Sequence, residues 1–306
     1  MTKKKIVILG DLIYDCIIWA DRLPKMGETV SGTASGFFSG GKGANQAVEA
    51  ARLGAQVFMI GKVGKDERGD FLRASLKKEK INTDHLMTSD EYATSTCCIH
   101  VDKNGNNAII VAPQANEHIS AEEIQNCRDL ISSADIFITQ MQVNEEAISA
   151  AVQIASDAGV PIVLNPAPAK KGLESLFEKV DYITPNETEA EFYAGLPAKK
   201  ENLNRVAAYF HNKGVKNVIM TLGSKGAYYS AEGVCGIAPA FHVQAVDSTA
   251  AGDAFNAAFS IAIASGSGLL EAIRYGNAAG ALAATKRGSQ VSLPTGQEVE
   301  QFLKNN

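Results

Sequence analysis

The chain lacks the signals of several large function classes. Five cysteines in 306 residues form no C-x-x-C pair, and an odd number is a poor disulfide framework. Cys97 and Cys98 are adjacent, so a strand would send them to opposite faces. No stretch approaches the ~18 consecutive apolar residues of a membrane span. Lys3-Lys4-Lys5 is followed only by Ile6–Leu9 before Gly10-Asp11 stops the run, which is no secretory leader. The expected setting is the reducing cytoplasm, with no membrane partner. Twenty-nine Lys and Arg against 34 Asp and Glu give a formal charge of −5, so no general field draws in nucleic acid. The five histidines (His85, His100, His118, His211, His242) are scattered, and none sits in an H-E-x-x-H pattern. There is no G-x-S-x-G elbow, and Gly10-Asp11-Leu12 lacks the dinucleotide-binding glycines. Trp19 is the only tryptophan.

What is present reads as an ordinary globular chain, 45% hydrophobic and 21% charged, long enough for a substantial core. Short apolar runs alternate with helical periodicity. Strands are expected at Lys5–Leu9, Val57–Ile60, Ile136–Thr139, Ile162–Leu164, Tyr182–Thr184 and Val218–Thr221. Between them, Ala44–Leu53 ends at Gly54, Ser120 to Glu123 reads as a capping box, and Asn144 precedes a helix over Glu145–Ala158. The pattern predicts an α/β fold with a doubly wound, mostly parallel sheet flanked by helices. Two stretches break the rhythm. Tyr14–Phe38 is strand-like with turns at Pro24 and Gly27, and Thr94–Val101 with Asn107–Val111 flanks a Lys103–Asn106 hairpin turn. Both are expected to form one small antiparallel β-sheet lid, inserted at residues 13–38 and 94–113 of a single domain spanning residues 1–306.

Four segments carry candidate chemistry. Gly40-Gly41-Lys42-Gly43-Ala44-Asn45-Gln46 is a glycine-rich turn entering a helix, whose unpaired N–H groups suit an oxygen-rich ligand. Gly36 to Lys42 also fits G-x-x-x-x-G-K, but Gly43 stands where a P-loop needs Ser or Thr for Mg²⁺. Ala250-Ala251-Gly252-Asp253 leads into the apolar helix Ala254–Ala264. The N–H groups of Ala251, Gly252 and Asp253 would converge on a developing anion there, with Asp253, kept ionised by the helix dipole, as proton acceptor. The plainer alternative is that Asp253 only caps the helix. Asn186 and Glu189 share a face of a helical first turn, either as a water-mediated Mg²⁺ site or as a capping pair. Thr221-Leu222-Gly223-Ser224-Lys225-Gly226 follows a strand at the sheet edge where α/β ligands gather, or is simply a hairpin turn.

Together with Gly27-Glu28-Thr29-Val30 and Asn165-Pro166-Ala167-Pro168-Ala169, and in this order, these segments resemble the ribokinase-like (PfkB) family of ATP-dependent carbohydrate and nucleoside kinases. The resemblance runs over nearly the whole chain. It implies an enzyme that transfers the γ-phosphate of ATP to a primary hydroxyl of a small sugar, a ribose-like pentose or related furanose, and a homodimer formed through the lid. By position it implies Asp253 as catalytic base, with Ala250, Ala251 and Gly252 as anion hole. Asp15, Gly41, Lys42, Asn45 and Gln142 would bind the sugar. Asn186, Thr221, Gly223, Gly226, Gly252 and Asn277 would serve ATP, and Glu189 would serve Mg²⁺ through water. Asp247, Thr249, Ala283, Lys286, Gly288 and Ser292 would hold a monovalent cation, K⁺ by the resemblance.

Two departures fall in the sugar site. Ile13 stands where the ribose-phosphorylating pattern has asparagine, and Gln142 where it has glutamate. Isoleucine cannot pair a hydroxyl, and glutamine accepts less strongly while adding two donors. Leaving one buried sugar hydroxyl unpaired costs ~1–3 kcal/mol, enough to redirect the preferred sugar away from ribose. The alternatives are a nucleoside kinase, favoured by Ile13 and by stacking on Tyr14 or Trp19, and a non-catalytic sugar-binding homologue.

Overall fold

The computed structural model describes residues 3–306. Thirteen strands form two sheets. Running along the chain, they are β1 (Lys5–Leu9), β2 (Ile13–Ala20), β3 (Gly32–Gly40), β4 (Gln56–Gly64), β5 (Leu86–Ser89), β6 (Thr96–Val101) and β7 (Asn107–Ala112). Then come β8 (Ile136–Thr139), β9 (Ile162–Leu164), β10 (Tyr182–Ile183), β11 (Asn217–Thr221), β12 (Ala227–Ala231) and β13 (Val234–Ala238). The helices are α1 (Lys42–Arg52), α2 (Glu67–Lys78), α3 (Ala121–Gln125), α4 (Arg128–Ser132) and α5 (Glu145–Asp157). They continue with α6 (Glu187–Ala194), α7 (Leu203–Asn212), α8 (Ala251–Ala264), α9 (Leu269–Ala284) and α10 (Gly296–Asn305).

The nine-stranded sheet has the order β13-β12-β11-β10-β9-β8-β1-β4-β5. It is parallel except for the β11–β12–β13 meander at one edge. Its strands are short and apolar because both faces are covered. In β1 the period of two is visible: Val7 and Leu9 enter one core, Ile6 and Ile8 the other. Helices α3 to α7 build the first layer, and α1, α2, α8, α9 and α10 the second. From β1 the chain winds outward to β4 and β5, then returns to β8 on the other side. The switch point therefore lies between β1 and β8, where the carboxyl ends of parallel strands leave a crevice.

The four-stranded sheet has the order β3-β2-β6-β7. The expectation of a wholly antiparallel sheet is corrected at one pair: β2 and β6 run parallel, Tyr14 opposite Thr96 through Trp19 opposite Val101. Each hairpin closes antiparallel on itself, and the two dock through their first strands, which both leave the main sheet in the same direction. On β6, Cys97 is buried and Cys98 exposed, as alternation requires. The Ser120 box forms as read, with Glu123 bonding back to the Ser120 N–H. Asn144 sits at the N-cap of α5 without capping it. Its side chain bonds the backbone of Ile119 instead, which ties α5 to the entry of α3. No helix among the described residues is long and apolar enough to cross a membrane.

Candidate active site

A cavity of about 470 Å³ opens at the switch point. The sequence reading and the geometry meet there: Asp15, Gly41, Lys42, Asn45, Gln142, Asn186, Glu189, Thr221, Thr249, Ala250, Gly252 and Asp253 all line it. So does Ile13, at the start of β2.

The floor is built by close backbone approach. A Cβ on Gly43 would lie 2.6 Å from the Cα of Gly10 and 2.7 Å from the N of Asp11, so only glycine lets α1 start against the end of β1. Gly41, at the N-cap with φ +97°, turns the chain into α1. Contrary to the expectation from the sequence, the N–H groups of this turn are not all free to face a ligand. Asp11 takes two of them, its carboxylate accepting from Gly43 N at 2.9 Å and its carbonyl from Ala44 N at 3.1 Å. Asp11 is fully buried, and its second carboxylate oxygen has no partner among the described residues.

Asp253 is 5% exposed and does not cap α8. Its carboxylate accepts from Asn45 Nδ2 at 2.9 Å and from Gln46 Nε2 at 3.1 Å, both on α1. Burial raises its pKa, while the Lys42 charge and these two amides hold it down. Burial outweighs them, so the carboxylate sits above its ordinary range. Gln46 is itself held by Gln140 Nε2 at 2.7 Å and reaches Asn165 at 3.3 Å. Asn165 donates to the Thr184 carbonyl, the Thr184 hydroxyl donates to Asn256, and Asn256 donates to the Gly252 carbonyl. One buried amide chain therefore joins the ends of β8, β9 and β10 to the first turn of α8. Asp11, Gln46, Gln140, Thr184 and Asn256 were not picked out as site residues from the sequence. For Gln140 and Thr184 the usable signal was a polar residue directly after a central strand, whereas Asp11 lies two residues past β1 and Gln46 and Asn256 sit inside helices.

At the start of α8, Ala250 adopts a left-handed conformation (φ +60°) that non-glycine residues rarely take. It leaves the helix end bare. Ala251 N–H reaches the Ser248 carbonyl at 3.2 Å, while the N–H groups of Gly252 and Asp253 have no acceptor among the described residues. Ala251 does not line the cavity, although Ala250 and Gly252 do.

Charge in the site is unbalanced toward acid. Burial and the Asp11 charge push Asp15 up to about 7, and burial pushes Asp11 up to about 6. Lys42 is the cation among them. Burial works against its charge, but Asp253, Glu189 and Asp11 outweigh that and raise its pKa.

Asn186 and Glu189 realise the capping reading and still line the cavity. The Glu189 oxygens accept from Asn186 N (2.8 Å) and Nδ2 (2.9 Å). No group of three His, Cys, Asp or Glu among the described residues is arranged to grip a metal directly. A hydrated Mg²⁺ held through water by Glu189 is the arrangement this donor set fits.

The remaining predicted positions lie outside the cavity, in two neighbouring clusters. Gly223 and Gly226 bracket the β11–β12 turn. A Cβ on Gly226 would meet the Ala238 carbonyl at 2.1 Å, and Asn277 donates to the carbonyls of Ala238 and Pro239. Gly226 and Asn277 therefore converge on segment 238–240. In the other cluster, Asp247 accepts from Thr249 N (2.9 Å) and Oγ1 (2.6 Å) and from Gly288 N (2.9 Å). These bonds and Arg287 outweigh its desolvation and lower its pKa. Lys286 turns its side chain out to Glu298, leaving only its carbonyl for this cluster. Of the other positions expected to hold a monovalent cation, Thr249 and Gly288 bond Asp247, while the Ala283 carbonyl accepts from Lys286 N (3.2 Å) and the Ser292 hydroxyl donates to the Ser289 carbonyl (2.7 Å).

Neither aromatic invoked for nucleoside stacking is in the cavity. Tyr14 packs against Phe37 and Phe71, and Trp19 stands edge-on to Phe38 at 6.3 Å.

A family model described as pfkB family carbohydrate kinase matches residues 3–296. The chain is 40% identical to ribokinase of Haemophilus influenzae over 99% of both chains. It is 32% identical to deoxyribokinase of Salmonella typhi, over 98% of this chain and 99% of that one. Its fold superposes on the structure of ribokinase from Arabidopsis thaliana complexed with ribose and ATP with a TM-score of 0.92, at 29% identity and 99% coverage of each chain.

Proposed function

The chain belongs to the pfkB family of carbohydrate kinases and is an ATP-dependent sugar kinase; from that premise we propose that it phosphorylates a primary hydroxyl of a pentose, with Asp253 as the base. The carrying observation is the placement of Asp253: a buried carboxylate facing the cavity, oriented by two amides, at the bare start of a helix.

In the reaction, the acceptor oxygen forms a bond to the γ-phosphorus while the bond from that phosphorus to the β–γ bridging oxygen breaks. The acceptor proton passes to Asp253. Asn45 and Gln46 keep the carboxylate aimed, and burial makes it a better proton acceptor than an exposed aspartate. The free N–H groups of Gly252 and Asp253 oppose the charge that develops on the transferring group. Asp15, Asn45, Lys42 and the Gly41 turn position the sugar. Thr221, Gly223, Gly226, Asn277 and Asn186 serve the nucleotide. Glu189 would hold Mg²⁺ through water, and the ion would neutralise phosphate charge. K⁺ is the ion we assign to Asp247 with Thr249, Ala283, Lys286, Gly288 and Ser292, where it would add positive charge to the site.

Ile13 and Gln142 favour a particular pentose. Ile13 is 6% exposed and presents hydrocarbon to the cavity, where a sugar hydroxyl laid against it would lack a partner. A pentose that lacks the hydroxyl facing Ile13, a deoxypentose, avoids that penalty. The four-stranded sheet acts as a lid, reaching the cavity through Ile13, Asp15 and Ile109. The same sheet exposes Ile109, Ile110 (71%) and Val111, which supports a homodimer through it. Five unpaired cysteines support a reducing, cytoplasmic setting.

Transfer of labelled γ-phosphate to ribose, 2-deoxyribose, ketohexoses and nucleosides tests this reading. We expect pentose-dependent transfer with 2-deoxyribose ahead of ribose, and weak ATP hydrolysis without sugar. A nucleoside optimum would overturn the substrate class, and a ribose optimum would overturn the part assigned to Ile13.

A further inference from the structure

A second cavity, of about 420 Å³, is lined by β2 and β3, by α2 and by the loop Arg287–Val291. Its walls are apolar and flat: Trp19, Phe37, Phe38 and Phe71 line it. Two polar side chains on its lining are buried without partners. Gln290 is 8% exposed with its Nε2 unpaired, and Ser39 is 9% exposed with its Oγ unpaired among the described residues. A buried donor left without an acceptor is costly, and a turn of the Gln290 side chain toward the cavity would let a ligand oxygen satisfy it.

Charge at the mouth points the same way. The one acid on the lining, Glu79, is spent on Arg52 at 2.6 Å. Arg52 in turn fixes the loop through the carbonyls of Gln290 (2.7 Å) and Leu293 (2.9 Å). Lys78 and Arg287, also on the lining, have neither an ion pair nor a hydrogen bond among the described residues.

From this arrangement we propose that the cavity is a second ligand site, taking a small organic anion with a flat apolar body. The body lies among Trp19, Phe37, Phe38 and Phe71, and the anionic oxygens accept from Gln290 and face Lys78 and Arg287. The site communicates with the active site. Ser289 lines both cavities, and its hydroxyl reaches the Ser39 carbonyl, one residue along β3 from Phe38, the cross-strand partner of Asp15.

Trp19 reports on this cavity because the sequence holds no other tryptophan. The test is energy transfer from Trp19 to 1-anilinonaphthalene-8-sulfonate in the full-length protein, against N-phenyl-1-naphthylamine, which has the same rings without the sulfonate. We expect saturable transfer at one probe per chain, with the neutral compound weaker by about tenfold. Lys78→Glu, far from the active site, is expected to weaken the sulfonate by about tenfold with catalysis unchanged, and Gln290→Leu to weaken it similarly. Lys78 is exposed, so that variant keeps the test valid if Gln290→Leu folds poorly. Because Ser289 is shared, the probe should change the sugar KM by a factor that levels off once the site is full. The proposal is overturned by an absence of saturable transfer or by equal binding of the neutral compound. It is equally overturned by displacement of the probe with ATP and sugar in direct competition, or by loss of the probe as protein concentration rises, which would mean that a second copy covers the cavity.

Discussion

Replacing Ile13 by asparagine isolates the residue on which the sugar preference rests. Ile13 lines the cavity with Asp15 and Gln142, and its backbone pairs with Gly40, so the substitution alters the wall without moving the strand. A hydroxyl pressed against the isoleucine gives up water and receives no partner, a penalty of ~1–3 kcal/mol. At 1.36 kcal/mol per decade that is ~5- to 150-fold in kcat/KM. Asparagine offers both a donor and an acceptor at the same place. The ratio of kcat/KM for 2-deoxyribose over ribose should therefore fall by about 5- to 150-fold in Ile13→Asn. kcat on the better sugar should change little, since Asp253 and its amides are untouched. A coupled ADP-release assay with both sugars at saturating ATP measures this, with urea unfolding to confirm that the variant is folded and Ile13→Val as a control of unchanged ratio. An unchanged ratio in folded Ile13→Asn refutes the reasoning.

Three further outcomes are expected. Burial, and after it the charge of Asp11, raise Asp15. As pH falls through about 7 the Asp15 carboxylate is protonated and sugar binding weakens, so kcat/KM should rise with pH and level off above that point, an inflection that Asp15→Asn removes. The sign for stability is opposite: between the ordinary 3.8 and about 7 the native state binds more protons than the unfolded chain, so these groups make stability fall as pH rises through that window. Gln46→Glu places a like charge beside Asp253 and should shift the kcat–pH profile upward, whereas an unmoved profile would show that Gln46 only fills space. Gly43→Ala forces a Cβ to 2.6 Å from the Gly10 backbone and should cost about 1–3 kcal/mol in denaturant unfolding; full stability would contradict that contact.

Regular local pattern made the central sheet readable. Lys5–Leu9, Ile136–Thr139 and Ile162–Leu164 are apolar runs bounded by turn residues, and they form strands over those same residues. Ser120 and Glu123 signalled their helix because a capping box is contained in four residues. The parallel pairing of β2 with β6 was not readable, because it depends on how two distant hairpins dock rather than on either sequence. The same limit explains the site. Lys42, Asn45 and Asp253 sit in glycine-rich helix starts and stand out locally. Gln46 and Gln140 are ordinary polar residues until the fold puts them 2.7 Å apart, and the use of Asp11 as a cap for α1 spans 32 positions. The Asp253 capping alternative looked equal in sequence, and only the partners across the crevice decide against it.

The central claim is that Asp253 takes the proton of the attacking alcohol. Asp253→Asn tests it with little risk to the fold, because Asn45 Oδ1 is buried without a partner and can accept from the new amide once the Asn45 side chain turns over. Rapid-quench turnover and equilibrium sugar binding should be measured on the same preparation. The account predicts a loss in kcat of about 10²- to 10⁴-fold with the sugar Kd changed by less than about tenfold. Turnover within a few-fold of the parent enzyme, with sugar still bound, would contradict it.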